Sequence, residues 1–135
     1  MKIVLDTNCL LPSIFDNSPY NWLWEGFCQN KFILCCSTEI LIEYEELLAR
    51  YYSPIISETV ISTITNAINF REIIPFFQWN LIFSDPDDNK FVNCALNAGA
   101  DYIVTNDKHF NILNEIKFPP IKVIDIDVFR NKICI

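Results

Sequence analysis

The sequence predicts an α/β protein built on a parallel sheet covered by helices on both faces. Three short runs carry that expectation: "KIVLD" at 2–6, "KFILCC" at 31–36 and "DYIVT" at 101–105. Each is continuously apolar rather than alternating, as strands buried on both faces are. The stretches between them carry helix signals, and strands that alternate with helices favour parallel pairing. With 135 residues, 51% apolar and 20% charged, the chain can bury one core in one domain spanning 1–135.

Lys2–Asp6 is the first buried strand, and Thr7–Asn8 opens a loop or helix. Residues ~19–29 read as a helix, with Pro19 near its first turn and Trp22, Leu23, Trp24 and Phe27 as apolar contacts. Lys31–Cys36 is the second strand. "STEILIEYEELLARYY" follows as a helix that Ser37 or Thr38 can cap, with acids in its first turn. Pro54 ends that segment, and a further helix is expected over ~55–70. "EIIPFF" is ambiguous between a strand and a short helix. "DPDDNKFVNCALNAGA" begins with turn chemistry and continues as a helix closed by Gly99. Asp101–Thr105 is the next strand, "IKVIDI" the last, with a short helical end at ~127–132.

Composition removes several classes of function. Two glycines and seven prolines exclude collagen-like and linker-like chains. A net charge of −7 argues against a broad basic face that grips nucleic acid, although bound cations can reverse the local sign. None of the six cysteines forms a C-x2-C pair and His109 is the sole histidine, so they are read as buried free thiols in a reducing compartment. "MKIVLD" reaches a carboxylate too soon to be a signal peptide's apolar region, and no stretch approaches the ~18 apolar residues of a membrane span. A soluble cytoplasmic protein is expected.

In a parallel sheet, ligands bind beyond the carboxyl ends of the strands. Asp6 ends the first strand, and Asp107 follows "DYIVT" in "TND", so both can project onto one rim. Each can instead simply cap the element after its strand. At 100° per residue, Asp88 falls within roughly 80° of Phe91, Val92, Ala95 and Ala98, on the inward face of its helix, while Asn89, Lys90, Asn93 and Asn97 point away. A carboxylate there needs a partner. Asp85 and Asp87 suit turn and cap roles better. In the helix at ~38–51, Glu43 flanks the apolar arc of Ile40, Leu41, Tyr44, Leu47 and Leu48; geometry favours it only mildly over Glu45.

Several carboxylates converging without histidine are the ligand set of a hard divalent cation, Mg²⁺ or Mn²⁺. Such a site can activate water and neutralise a phosphodiester. No G-x-x-x-x-G-K-[ST] loop or G-x-G-x-x-G turn is present to cradle a nucleotide phosphate.

"VLDTN", "STEILIEYEELL", "DPDDNKFVNCALNAGADYIVTND" and the closing "IKVID" together resemble the PIN-domain family, in its bacterial toxin branch of VapC-type ribonucleases. The resemblance runs over essentially the whole chain. It implies a three-layer α/β/α domain that cuts RNA with Mg²⁺ or Mn²⁺ held by acids. By motif those acids fall on Asp6, Glu43, Asp88 and Asp107, as catalytic residues and metal ligands. Asn8 and Thr105 take supporting roles, holding carboxylates or waters by hydrogen bonds. It further implies an antitoxin protein as partner and a homodimer. "TND" departs from many relatives, which carry Gly or Arg where Asn106 stands. His109 is read as a surface or packing residue. The aromatics of "SPYNWLWEGF" can serve a dimer or antitoxin surface, although core packing is the plainer use of Trp22 and Trp24.

Two other readings compete. A non-catalytic interaction module of the same fold would be signalled by a lost acid, and all four are present. A phosphatase of the haloacid dehalogenase kind needs a second Asp two residues after the first, where this chain has Asn8.

Overall fold

The computed structural model describes residues 1–78, 86–116 and 120–133. Asp85 and Cys134 lie outside the described residues. Among those described, five strands form one sheet: β1 (Lys2–Leu5), β2 (Ile33–Cys36), β3 (Phe70–Glu72), β4 (Tyr102–Val104) and β5 (Val123–Ile124). Their spatial order is β3-β2-β1-β4-β5, and every pairing is parallel. The expected parallel sheet is therefore present, with β1 at its centre. Ile3 pairs with Leu34 on one side and Tyr102 on the other. Ile3, Val4 and Leu5 are almost wholly buried, as continuous apolar strands between two helical layers should be.

The helices are α1 (Thr7–Leu10), α2 (Asn21–Cys28), α3 (Thr38–Tyr51), α4 (Pro54–Asn66), α5 (Asn89–Ala98) and α6 (Ile126–Lys132). Ser37 caps α3 by accepting from the Ile40 amide. Ser53 caps α4 in the same way, with Pro54 at its first position. Pro54 thus starts the second helix rather than merely stopping the first. That helix ends at Asn66, short of the expected ~70, because Phe70 has already joined the sheet opposite Leu34. Of "EIIPFF", only Glu72 is strand, and residues 73–77 are in neither helix nor strand.

Gly99 ends α5 at φ +63, in the left-handed region where a Cβ is strained. The core is one continuous cluster that joins the sheet to both helical layers; Tyr44, Phe91, Phe110 and Phe129 are its largest fully buried side chains. Trp22 and Trp24 pack against it, with the Trp22 ring tilted 40° to that of Phe129. Cys9, Cys35, Cys36 and Cys94 are buried free thiols, but Cys28 at the end of α2 is exposed, contrary to the expectation of burial. None of the described helices is long and apolar enough to cross a membrane.

Candidate metal and nuclease site

The parallel sheet brings the ends of β1 and β4 side by side, and the amide of Asp6 donates to the Val104 carbonyl at 3.0 Å. Asp6 leaves β1 in extended geometry and turns directly into α1. One of its carboxylate oxygens, Oδ1, accepts from the Asn8 amide, and the other, Oδ2, accepts from Thr105 Oγ1 at 2.7 Å. Thr105 Oγ1 in turn accepts from the Asp107 amide at 3.0 Å. One buried hydroxyl therefore joins the residues after β1 and β4. Asp107 opens a 3-10 helix at 108–115 by accepting from the His109 amide at 2.9 Å. Asp6 and Asp107 are thus caps, and they also share one rim; the two readings do not exclude each other.

Asn8 reaches Asp6 through its backbone, and its exposed side chain takes no part in that bond. His109 stays on the surface, with Nδ1 3.5 Å from Asp107 Oδ1. Asn106 accepts from the Ile126 amide at 3.1 Å and so ties the "TND" loop to the start of α6.

Asp6 is only 6% exposed. Burial raises its pKa above the ordinary value; the Thr105 and Asn8 hydrogen bonds pull the other way, and the negative charges of Glu43 and Asp107 add to the rise. Asp6 therefore feels two further acids from different elements.

Glu43 is the glutamate of α3 that turns toward this rim, while Glu39, Glu45 and Glu46 are exposed. Its Oε2 accepts from Thr7 Oγ1, beside Asp6. Its Oε1 lies 2.9 Å from the ammonium of Lys90. The side chain of Lys90 is 8% exposed, and it also meets Asp87 at the carboxylate (3.4 Å) and at the carbonyl (3.0 Å). The expectation that Lys90 points away from the site is overturned. Its long stem folds back along the helix, so the direction of its Cα does not fix where its charge sits. Burial opposes that charge, but the Glu43 and Asp87 carboxylates prevail and raise the Lys90 pKa.

Asp88 stands at the N-cap position of α5 and makes no side-chain cap hydrogen bond, so the capping role that explains many such acids does not apply. Its Oδ2 is shut off from solvent. Asn89, expected to point outward, is buried as well.

Tyr44 belongs to the apolar arc of α3 in the sequence, and the structure ties it to the site as well. It is fully buried on α3, and its hydroxyl donates to the Leu5 carbonyl, immediately before Asp6. A fully buried tyrosine needs a partner for its hydroxyl, which is the signal that was available. A cleft of about 370 Å³ opens beyond β4 and β5, lined by Thr105, Asn106, Asp107, Lys108, Asn111 and Asp125 among others.

The described carboxylates are oxygen donors with no sulfur or nitrogen ligand among them, which suits a hard divalent ion in kind. Among the described residues, no three acidic, histidine or cysteine side chains stand as close together as ligands of a single ion.

A family model described as the PIN domain matches residues 2–109. The chain belongs to the PIN-domain family. That membership sets aside the haloacid-dehalogenase alternative, and β5 and α6 extend beyond the matched span. Two solved structures share the fold of this PIN domain. VapBC2 of Rickettsia felis, bound to a DNA fragment from its promoter, matches with a TM-score of 0.63 at 14% identity, over 93% of this chain and 98% of that one. VapC20 of Mycobacterium tuberculosis, a toxin that cleaves the sarcin–ricin loop, matches with a TM-score of 0.57 at 12% identity, over 82% of this chain and 93% of that one. No curated protein matches significantly.

Proposed function

We propose that this PIN domain is a metal-dependent endoribonuclease, the toxin of a toxin–antitoxin pair, with Asp6, Glu43, Asp88 and Asp107 as its catalytic acids and metal ligands. The observation that carries the proposal is the buried Asp6, hydrogen-bonded through Thr105 to the start of the Asp107 turn and subject to the charge of Glu43. Burying so much negative charge costs stability unless a cation offsets it. When bound, Mg²⁺ or Mn²⁺ supplies an activated water and neutralises charge on a phosphodiester.

The chain's own residues prepare that chemistry. Thr105 fixes one Asp6 oxygen and orients the Asp107 backbone, so two acids keep their places without substrate. Tyr44 anchors the end of β1 from behind. The cleft beside Asp107 offers Lys108, Asn106 and Asn111 to a phosphate backbone, which gives a chain of net charge −7 a local place to meet RNA. The likeness in fold to VapBC2 and to a toxin that cleaves the sarcin–ricin loop supports the same reading. Its partners would be RNA, a cognate antitoxin and a second copy of itself, in the cytoplasm.

The test is cleavage of a mixed RNA pool by purified protein in Mg²⁺ or Mn²⁺, with Asp88→Asn alongside. Metal-dependent cutting that chelator and the substitution both abolish is the expected result. A folded protein that binds neither ion by calorimetry would end the nuclease reading.

A further inference from the structure

Lys90 is nearly shut off from solvent and belongs to none of the roles assigned above. Its ammonium lies 2.9 Å from Glu43 Oε1 on α3 and reaches both the carboxylate and the carbonyl of Asp87, next to Asp88. The other oxygen of Glu43 is taken by Thr7. Both oxygens of Glu43 are therefore engaged by donors of the protein itself. The bridge spans the three parts of the site that lack a sheet pairing to hold them: α3, the turn at 86–88 and the start of α5.

We propose that Lys90 is a positioning residue that acts as a built-in counter-cation, holding Glu43 against the Asp87–Asp88 turn and offsetting part of the acidic charge that a divalent ion offsets when bound. The idea rests on the metal-dependent reading above and adds a consequence to it. A tethered positive charge and a divalent ion neutralise the same carboxylates, so each is worth less when the other is present. The Lys90 ammonium is taken up by Glu43 and Asp87, so its effect reaches the reaction through Glu43 and the turn. A plain structural salt bridge would hold α3 to α5 equally well with or without metal.

Thermal melting of the full chain in chelator and in saturating Mn²⁺ separates these cases. Lys90→Met is expected to melt lower than wild type in chelator and to recover most of the loss in Mn²⁺. Its Mn²⁺-induced rise in melting temperature should be clearly larger than that of wild type. Lys90→Arg, which keeps the charge, should respond as wild type does. The double variant Glu43→Gln/Lys90→Met removes both charges and should lose the extra response; it also serves if Lys90→Met alone does not fold in chelator. Equal Mn²⁺-induced shifts in wild type and Lys90→Met would overturn the proposal and leave the metal reading intact. No shift in wild type would overturn the metal reading, and the proposal with it.

Discussion

The hydroxyl of Thr105 donates to the carboxylate of Asp6 at 2.7 Å, across 99 residues of sequence. The bond is buried, and it holds Asp6, the acid that is most enclosed among the described residues. Thr105→Val keeps the shape and removes both polar contacts, leaving Asp6 Oδ2 and the Asp107 amide short of a partner. A loss of about 1–3 kcal/mol in urea unfolding is expected, with RNA cleavage down about 10- to 100-fold. Thr105→Ser keeps the hydroxyl and should restore most of the activity; failure of that rescue would show that the methyl group matters more than the bond.

Asp6 also predicts a trade between stability and activity. Its folded-state pKa is raised, by burial first. The protonated form is therefore the one the fold favours. Its contribution is fully present below the ordinary value of 3.8 and is lost as pH rises through the folded-state pKa. In metal-free protein at pH 7, ionised Asp6 thus weighs against folding. Asp6→Asn should be more stable than wild type in chelator at pH 7, with the gap closing as pH falls, and should not cleave RNA. Urea titrations at a series of pH values measure the gap; a variant less stable at pH 7 would contradict the assignment.

Tyr44 offers a test of the support behind the site. Tyr44→Phe removes the hydroxyl that serves the Leu5 carbonyl and also meets the Cys36 thiol. About 1 kcal/mol of stability should be lost, and cleavage should fall through a displaced Asp6 rather than through weaker RNA binding. A fall in kcat with KM held is the pattern to look for.

The described cysteines divide by exposure. Burial pushes the Cys9 and Cys94 thiols up to about 12 and raises Cys36 as well, so no useful thiolate exists there at neutral pH. Cys28 is exposed. Brief alkylation of native protein followed by peptide mapping should find Cys28 modified and Cys9, Cys36 and Cys94 intact until denaturant is added. Rapid labelling of Cys94 would mean that α5 opens away from the sheet.

Much of this architecture was legible because its signals are local. Continuous apolar runs marked β1, β2 and β4, Ser37 marked the start of α3, and Gly99 marked the end of α5. Asp88 Oδ2 is enclosed, but so are Asn89 and the side chain of Lys90, which the same helical angle placed on the far side. Other features left no such mark. β3 is a three-residue edge strand with two exposed positions, so it lacks an apolar run: Phe70 falls at the end of the expected helix and Glu72 at the start of the ambiguous "EIIPFF". The burial of Lys90 depends on a flexible stem that turns toward a carboxylate supplied by another helix. That Glu43 rather than Glu45 turns toward Asp6 likewise involves Thr7 and Lys90, residues from two other elements. Pairings of this kind belong to the tertiary structure, and residue-by-residue angles do not contain them.

The central place of β1 in the sheet has a consequence for the timing of synthesis. Its partner on the Asp107 side, β4, is made about a hundred residues later, and Asp6 has no Thr105 to bind until that strand arrives. Closing so long a loop is the slow, entropically costly part of forming the sheet. A growing chain on the ribosome can complete β1, α2, β2 and α3 and still hold only half a site. Asp6 cannot settle against its hydroxyl partner before Thr105 itself has been made.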